Sequence, residues 1–252
     1  MAVNFEDVKL GKHPAIYDPR TLMLRSFLAP DLGPPPAYVS RTRKVRNWGM
    51  LKNDVVGDCS IAALLHTIQS WRLSLPNAPE LLEIPDEVAI EYYGKWCGYD
   101  PSKPASDRGG NELSNLKLWR KSTISIDGTG HNLKAWADPD PGNIHHIKWS
   151  IAIFGSVYIG LALPLSAQRQ RTWDVECGYE GVPGSWGLHA VNIDNYDQEV
   201  VVCTTWGAQQ VMTWQFFHAC CDEAHTLMSD TDFESSMFDY DALLQHLQAV
   251  TG

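Results

Sequence analysis

The chain is poor in the patterns that most function classes need. It holds six cysteines, Cys59, Cys97, Cys177, Cys203, Cys220 and Cys221, with no close C-x-x-C pair, which argues against a disulfide scaffold and a zinc cage. Neither G-x-x-x-x-G-K-[ST] nor G-x-G-x-x-G occurs, so the usual phosphate cradles are excluded and no cofactor is implied. Basic charge is scarce: 20 Lys and Arg stand against 30 Asp and Glu, a net charge of −10. No global basic field is available for a nucleic-acid backbone, and no nucleic-acid partner is expected. The first twenty residues lack an apolar core of signal-peptide length, so Sec-type export is not expected and a cytoplasmic location is. His145 and His146 are adjacent, about 100° apart on a helix, and cannot readily chelate one metal together. No metal site is predicted.

One uncharged stretch, Trp149 to Gln168, has the length of a membrane span. Its Gly155, Gly160 and Pro164 and the run VYIGLAL suit a helix end followed by a buried strand instead. No membrane association is expected.

The 252 residues, 44% of them hydrophobic, suffice for one globular domain with an arm. Residues 1–47 read as an extended, proline-rich arm, with Pro34, Pro35 and Pro36 in a row and Arg41, Arg43, Lys44 and Arg46 near its end. Whether the arm docks on its own body or on an assembly partner is open. A buried helix is predicted from Asp58, with Ile61, Leu64, Leu65, Ile68 and Trp71 at helical spacing. Further helices are expected from Pro85 and after Gly110. Short β-branched and aromatic runs follow: VYIGLAL, HAVNIDNY, EVVVCTTW and VMTWQFF. Helices before strands predict an α+β domain over 48–221, its helical half near 48–140 and its β half near 141–221. Residues 222–252 read as an acidic extension ending in a packing helix with Leu243, Leu244, Leu247 and Val250 as its stripe.

Cys59 follows Gly57 and Asp58 at the first turn of the predicted core helix, where free N–H groups and the helix dipole lower a thiol pKa. His189 starts a strand after Gly187, 130 residues later, and Thr204 lies 145 residues beyond Cys59, the spacing band of a papain-type thiol and its partners. An ordinary core cysteine and a satisfied histidine are the bland readings of each taken singly.

Five segments in order carry a resemblance: NDVVGDCSIAA, the Gly109-Gly110 pair, IKWSIAIFGSVYIGLAL, GLHAVNIDNYD and TTWG. Over about residues 48–218 the chain resembles the papain-like cysteine peptidase superfamily, and its late string TWGAQQVMTWQFFHACCDEA is similar to uncharacterised papain-like proteins of tailed bacteriophages. The resemblance implies a helical N-terminal half packed against an antiparallel β-sheet or barrel half, with the active-site cleft between them. It implies Cys59 as nucleophile, His189 as acid and base, Thr204 in the place of the family's ring-orienting Asn, and Asn53 in the place of its oxyanion Gln. Gly109 and Gly110 would align substrate, and Trp206 would cover the imidazole. Asp194 and Asp197 are weaker candidates for orienting His189, since alternation turns Asp194 to the opposite face of the strand. Asp58 is expected to raise the thiol pKa by charge.

The expected function is hydrolysis of an amide bond in a peptide or protein substrate. The alternative is a catalytically degenerate domain serving as a binding or structural part of an assembly such as a phage particle, which would make it virion-associated. Thr204 for Asn, Asp58 beside the thiol, a docked arm and the lack of a recognisable inhibitory pro-segment would favour the alternative. An amidase or transferase acting on peptidoglycan would use the same residues.

Overall fold

The computed structural model describes residues 5, 8–42, 45, 47–74, 81–229 and 237–251. The basic residues Arg43, Lys44 and Arg46 lie outside them. Helix α1, Cys59–Ser74, is buried from Cys59 through Trp71, so it has almost no polar face and can exist only as the centre of a core. Its Leu64, Leu65 and Ile68 pack with Tyr92 and Tyr93 of α2, Asp86–Cys97, and with Leu116 and Trp119 of α3, Glu112–Trp119. The ends of α2 and α3 obey local chemistry. Pro85 precedes α2, which Gly98 closes at φ 78°, and the Asn111 side chain caps α3 by accepting from the Ser114 N–H.

The strands are β1, Val39–Ser40; β2, Thr123–Ile126; β3, Thr129–Ala137; β4, Val157–Leu163; β5, Thr172–Trp173; β6, Gly187–Tyr196; β7, Val200–Thr205; β8, Ala208–Thr213; and β9, Cys221–Ser229. They join in the order β2-β3-β9-β4-β6-β7-β8-β5, with β1 on β6. All pairings are antiparallel except β5 with β8. The β4, β6 and β7 residues Ile159, Leu161, Val191, Ile193, Val201 and Cys203 form a second core. The expected α+β architecture is what the chain adopts.

Three expectations need correction, and one open question is narrowed. The helical half is not free of strands, because β2 and β3 lie within 123–137. The run VMTWQFF is only half strand: Thr213 caps the helix α5, Trp214–Cys220, by accepting from the Phe216 N–H. The boundary drawn at residue 221 falls inside β9, which pairs with both β3 and β4, so the acidic segment supplies an interior strand. For the 1–47 segment, whose docking was left open, the described residues lie on the chain's own body. Leu24 and Phe27 are buried with Phe154, Phe238 and Leu243, where they meet the C-terminal helix α6, Tyr240–Thr251, and Val39–Ser40 is a strand of the sheet.

The uncharged stretch resolves into helix α4, Ile144–Phe154, a glycine turn at Gly155 with φ 85°, and strand β4. Asn143 caps α4 by accepting from the N–H groups of His145 and His146. No helix among the described residues is long and apolar enough to cross a membrane.

Candidate active site

Asp58 accepts the Ile61 and Ala62 N–H groups with its carbonyl, which makes Cys59 the first residue of α1, with an N–H that has no partner within the helix. The loop before it is held by the segment that leads into the glycine pair. Asp107 Oδ1 accepts from the Gly57 N–H at 2.9 Å and from the Tyr93 hydroxyl at 2.7 Å, and that hydroxyl accepts from the Gly109 N–H at 2.8 Å. One carboxylate thus ties the loop before Cys59 to the Gly109-Gly110 pair.

On the sheet side, His189 and Ala190 follow one another in β6, and the Ala190 N–H donates to the Cys59 sulfur. The register therefore brings the His189 strand onto the first turn of α1. His189 is wholly buried, its ring stacked on Trp206 at 4.1 Å between centroids and 13° between planes. Its Nε2 shares a 2.7 Å hydrogen bond with the Thr205 hydroxyl, and Nδ1 has no hydrogen-bond partner. The hydroxyl at the ring is that of Thr205, not of Thr204. Alternation along β7 sends Thr204 to the other face, where its buried hydroxyl has no partner. Trp206 is placed by a strained backbone, φ 44°, before Gly207 at φ 72°.

Asn53 is buried, and its amide donates to Asp58 Oδ1 at 3.1 Å. Burial pushes the Asp58 carboxyl well above the usual carboxylate range, which weakens the charge it sets beside the thiol. Asp194 accepts from the Ser70 hydroxyl, and Asp197 accepts from turn N–H groups at Glu199 and Val200. The first bond ties α1 to β6 and the others close the β6–β7 turn, and none of them sets a carboxylate on the imidazole.

An extended peptide already lies between the two halves: the chain's own residues 10–14. The Gly110 N–H donates to the Gly11 carbonyl at 2.8 Å, and the His13 N–H donates to the Gly110 carbonyl at 2.9 Å. On the other side the Lys12 N–H donates to the Leu188 carbonyl at 3.3 Å. The Gly11 N–H donates to the Cys59 sulfur. No other residue fits at position 11, since a Cβ there would sit 1.8 Å from the Gly57 oxygen. Under this cover burial raises the Cys59 thiol to about 12 and lowers His189 to about 3, so both groups are neutral.

Sequence reasoning missed a second cluster beside the first. Lys12 reaches a buried pocket made by Glu112, Asp222, Glu223 and His225. His225 Nδ1 donates to Asp138 at 2.6 Å and Nε2 to Glu223 at 3.3 Å. Burial works to lower the His225 pKa, but Asp138 and Glu223 outweigh it and keep the ring charged. Burial and Glu223 push Glu112 well above its ordinary range. Ligand atoms of Glu112, Glu223 and His225 lie within 4.8 Å of one another, close enough to surround a cation, and the Lys12 ammonium provides the positive charge. The signals lay in the sequence as GK at 11–12, NE after the glycine pair and DE at 222–223.

No protein-family model matches the chain, and no curated protein matches it by sequence. Solved structures do. Xylellain, a cysteine protease from Xylella fastidiosa, is 14% identical at a TM-score of 0.63, over 88% of this chain and 96% of that one. Procathepsin B S9 from Trypanosoma congolense is 10% identical at 0.61, over 91% and 90%. Digestive procathepsin L 3 of the Tenebrio molitor larval midgut is 12% identical at 0.58, over 88% and 77%. The chain has the fold of the papain-like cysteine proteases.

Proposed function

We propose that the protein is a cysteine hydrolase that cuts amide bonds in peptide or protein substrates and is latent while its own arm fills the cleft. The observation that carries this reading is the peptide backbone lying against Cys59: Gly110 binds it through both N–H and C=O, as it would bind a substrate strand. In the reaction His189 Nδ1 takes the thiol proton, and the sulfur attacks the substrate carbonyl carbon. The oxyanion forms near the Cys59 N–H and the Asn53 amide. As the C–N bond breaks, His189 returns the proton to the leaving amine, giving a thioester. Water, deprotonated by His189, then displaces the thiolate and releases the acid.

The arm itself survives because it presents the wrong group. Gly11 offers the sulfur an N–H, a donor without electrophilic character, while its carbonyl is turned to the Gly110 N–H.

A second reading keeps the fold without the reaction, as a binding or structural part of an assembly. What favours it is the orienting group: a threonine hydroxyl both donates and accepts, so it does not fix the imidazole tautomer as an amide carbonyl does. The full-length Gly11→Val variant separates the two. It should expose Cys59 to iodoacetamide and release hydrolysis of a fluorogenic peptide library that Cys59→Ala abolishes. Rapid alkylation of the variant with no turnover of any peptide would establish the second reading instead.

A further inference from the structure

The Lys12 side chain is 0% exposed, and its Nζ lies 2.7 Å from Glu223 Oε1, 2.9 Å from Asp222 Oδ2 and 3.1 Å from the His13 carbonyl. The ammonium donates to Asp222 and to the His13 carbonyl, and Glu223 faces it as an ion pair. Burial works to lower its pKa, but Glu112 and Glu223, with Asp222, outweigh that and leave it raised. A buried ion pair is a poor way to fasten an arm, since apolar side chains of equal volume do so as well or better. Acids in that position read charge.

The pocket adjoins the nucleophile. Its floor, Gly160, pairs with Ala190 on one side and Glu223 on the other, and the Ala190 N–H donates to the Cys59 sulfur. A Cβ at Gly160 would stand 2.0 Å from Lys12 Cε and 2.4 Å from Asp222 Oδ1, so glycine is needed for the space a long side chain occupies. The pocket also has capacity that lysine leaves unused. Glu112 is 0% exposed and lies two residues after Gly110; it faces His225 Nε2 at 3.8 Å, and neither of its carboxylate oxygens has a hydrogen-bond partner.

We propose that this pocket, walled by Glu112, Asp222 and Glu223 and floored by Gly160, selects a lysine or arginine side chain within two residues of the bond to be cut, and that Lys12 fills it in the arm-docked state. The inference rests on the hydrolase reading for the word "cut" and deepens it by naming the substrate class. Arginine, with five donors, can engage Glu112 as well as Glu223, which lysine does not.

Binding separates the pocket from the chemistry. In the full-length chain carrying Cys59→Ala and Lys12→Glu, the glutamate faces the pocket acids and expels the arm. Fluorescein-labelled hexapeptides that differ at one position, with lysine, arginine, norleucine or glutamate, are then titrated by anisotropy. Lysine and arginine peptides should bind on the order of 30-fold tighter than norleucine, which has the same length without the charge. Adding Glu223→Gln should erase most of that preference. Gly160→Ala, which fills the floor without removing a charge, should weaken the lysine and arginine peptides most. Equal binding of norleucine, binding of none of the peptides, or a preference unchanged by both added variants would overturn the proposal. If the preference holds but the Cys59 form hydrolyses none of these peptides, the hydrolase reading fails and the pocket assignment stands.

Discussion

Two buried polar clusters sit side by side in the cleft and are built on opposite terms. Around Cys59 and His189 there are few partners: two backbone N–H groups on the sulfur, one hydroxyl on the ring, and an Nδ1 with none. Burial keeps both groups neutral. Around Lys12 the partners are dense and charged, with Asp222 and Glu223 on the ammonium and Asp138 and Glu223 on His225. Charge is concentrated in the second cluster, and the sulfur and the imidazole are left with few partners in the first. A group that must bond to a substrate is kept free of bonds to the protein, whereas a group that must hold one is surrounded by charge of opposite sign.

The strongest way to break this contrast is to remove the cation from the charged side. Lys12→Met leaves buried acids unpaired, which typically costs about 3–5 kcal/mol, so the arm should leave the cleft. Iodoacetamide labelling of Cys59 followed by mass spectrometry should then run hundreds-fold faster than in the unaltered chain. A rate that stays the same would mean that the backbone contacts of Gly11 and Gly110 hold the arm unaided.

A smaller effect sharpens the sparse side. In an arm-released background such as Gly11→Val, Thr205→Val removes the hydroxyl on His189 and should lower kcat for peptide hydrolysis by roughly 10- to 100-fold, with KM little changed. Thr204→Val, which deletes a hydroxyl that bonds nothing, should leave kcat within about twofold. The reverse outcome would restore the residue expected from sequence.

The mildest test uses pH. A thiol raised to about 12 by burial stabilises the covered form below its ordinary value of 9.0, and that contribution fades as pH rises toward 12. Alkylation of the unaltered chain should therefore climb steadily through pH 10, about tenfold per unit, whereas the Gly11→Val variant should level off near or below pH 9. A plateau at the same pH in both would show that the arm does not govern the thiol.

Much of this was legible in the residues. Cys59 at a helix start and His189 at a strand start follow from local signals, and so does the glycine pair, because each is a statement about backbone geometry. Thr205 was not legible because the choice between two adjacent threonines is a matter of register, and β6 carries an irregularity between Ile193 and Asn195 just where it pairs with β7. Asp222 and Glu223 read as the start of an acidic extension beyond the domain, since charge is usually exposed; only the return of β9 between β3 and β4 takes them inside. Lys12 was hidden for the same reason. Its partners lie about 100 and 210 residues away, at Glu112 and at Asp222 and Glu223, and no local pattern encodes that distance.

Because Gly11 belongs to the same polypeptide as Cys59, the cleft faces its occupant at a local concentration in the millimolar range or above, fixed by tether length rather than by how much protein is present. Dilution cannot free the thiol, and a competing peptide must outbid a neighbour that never diffuses away. Exposure of the thiol is thus a unimolecular event, set by how often a handful of residues peel back.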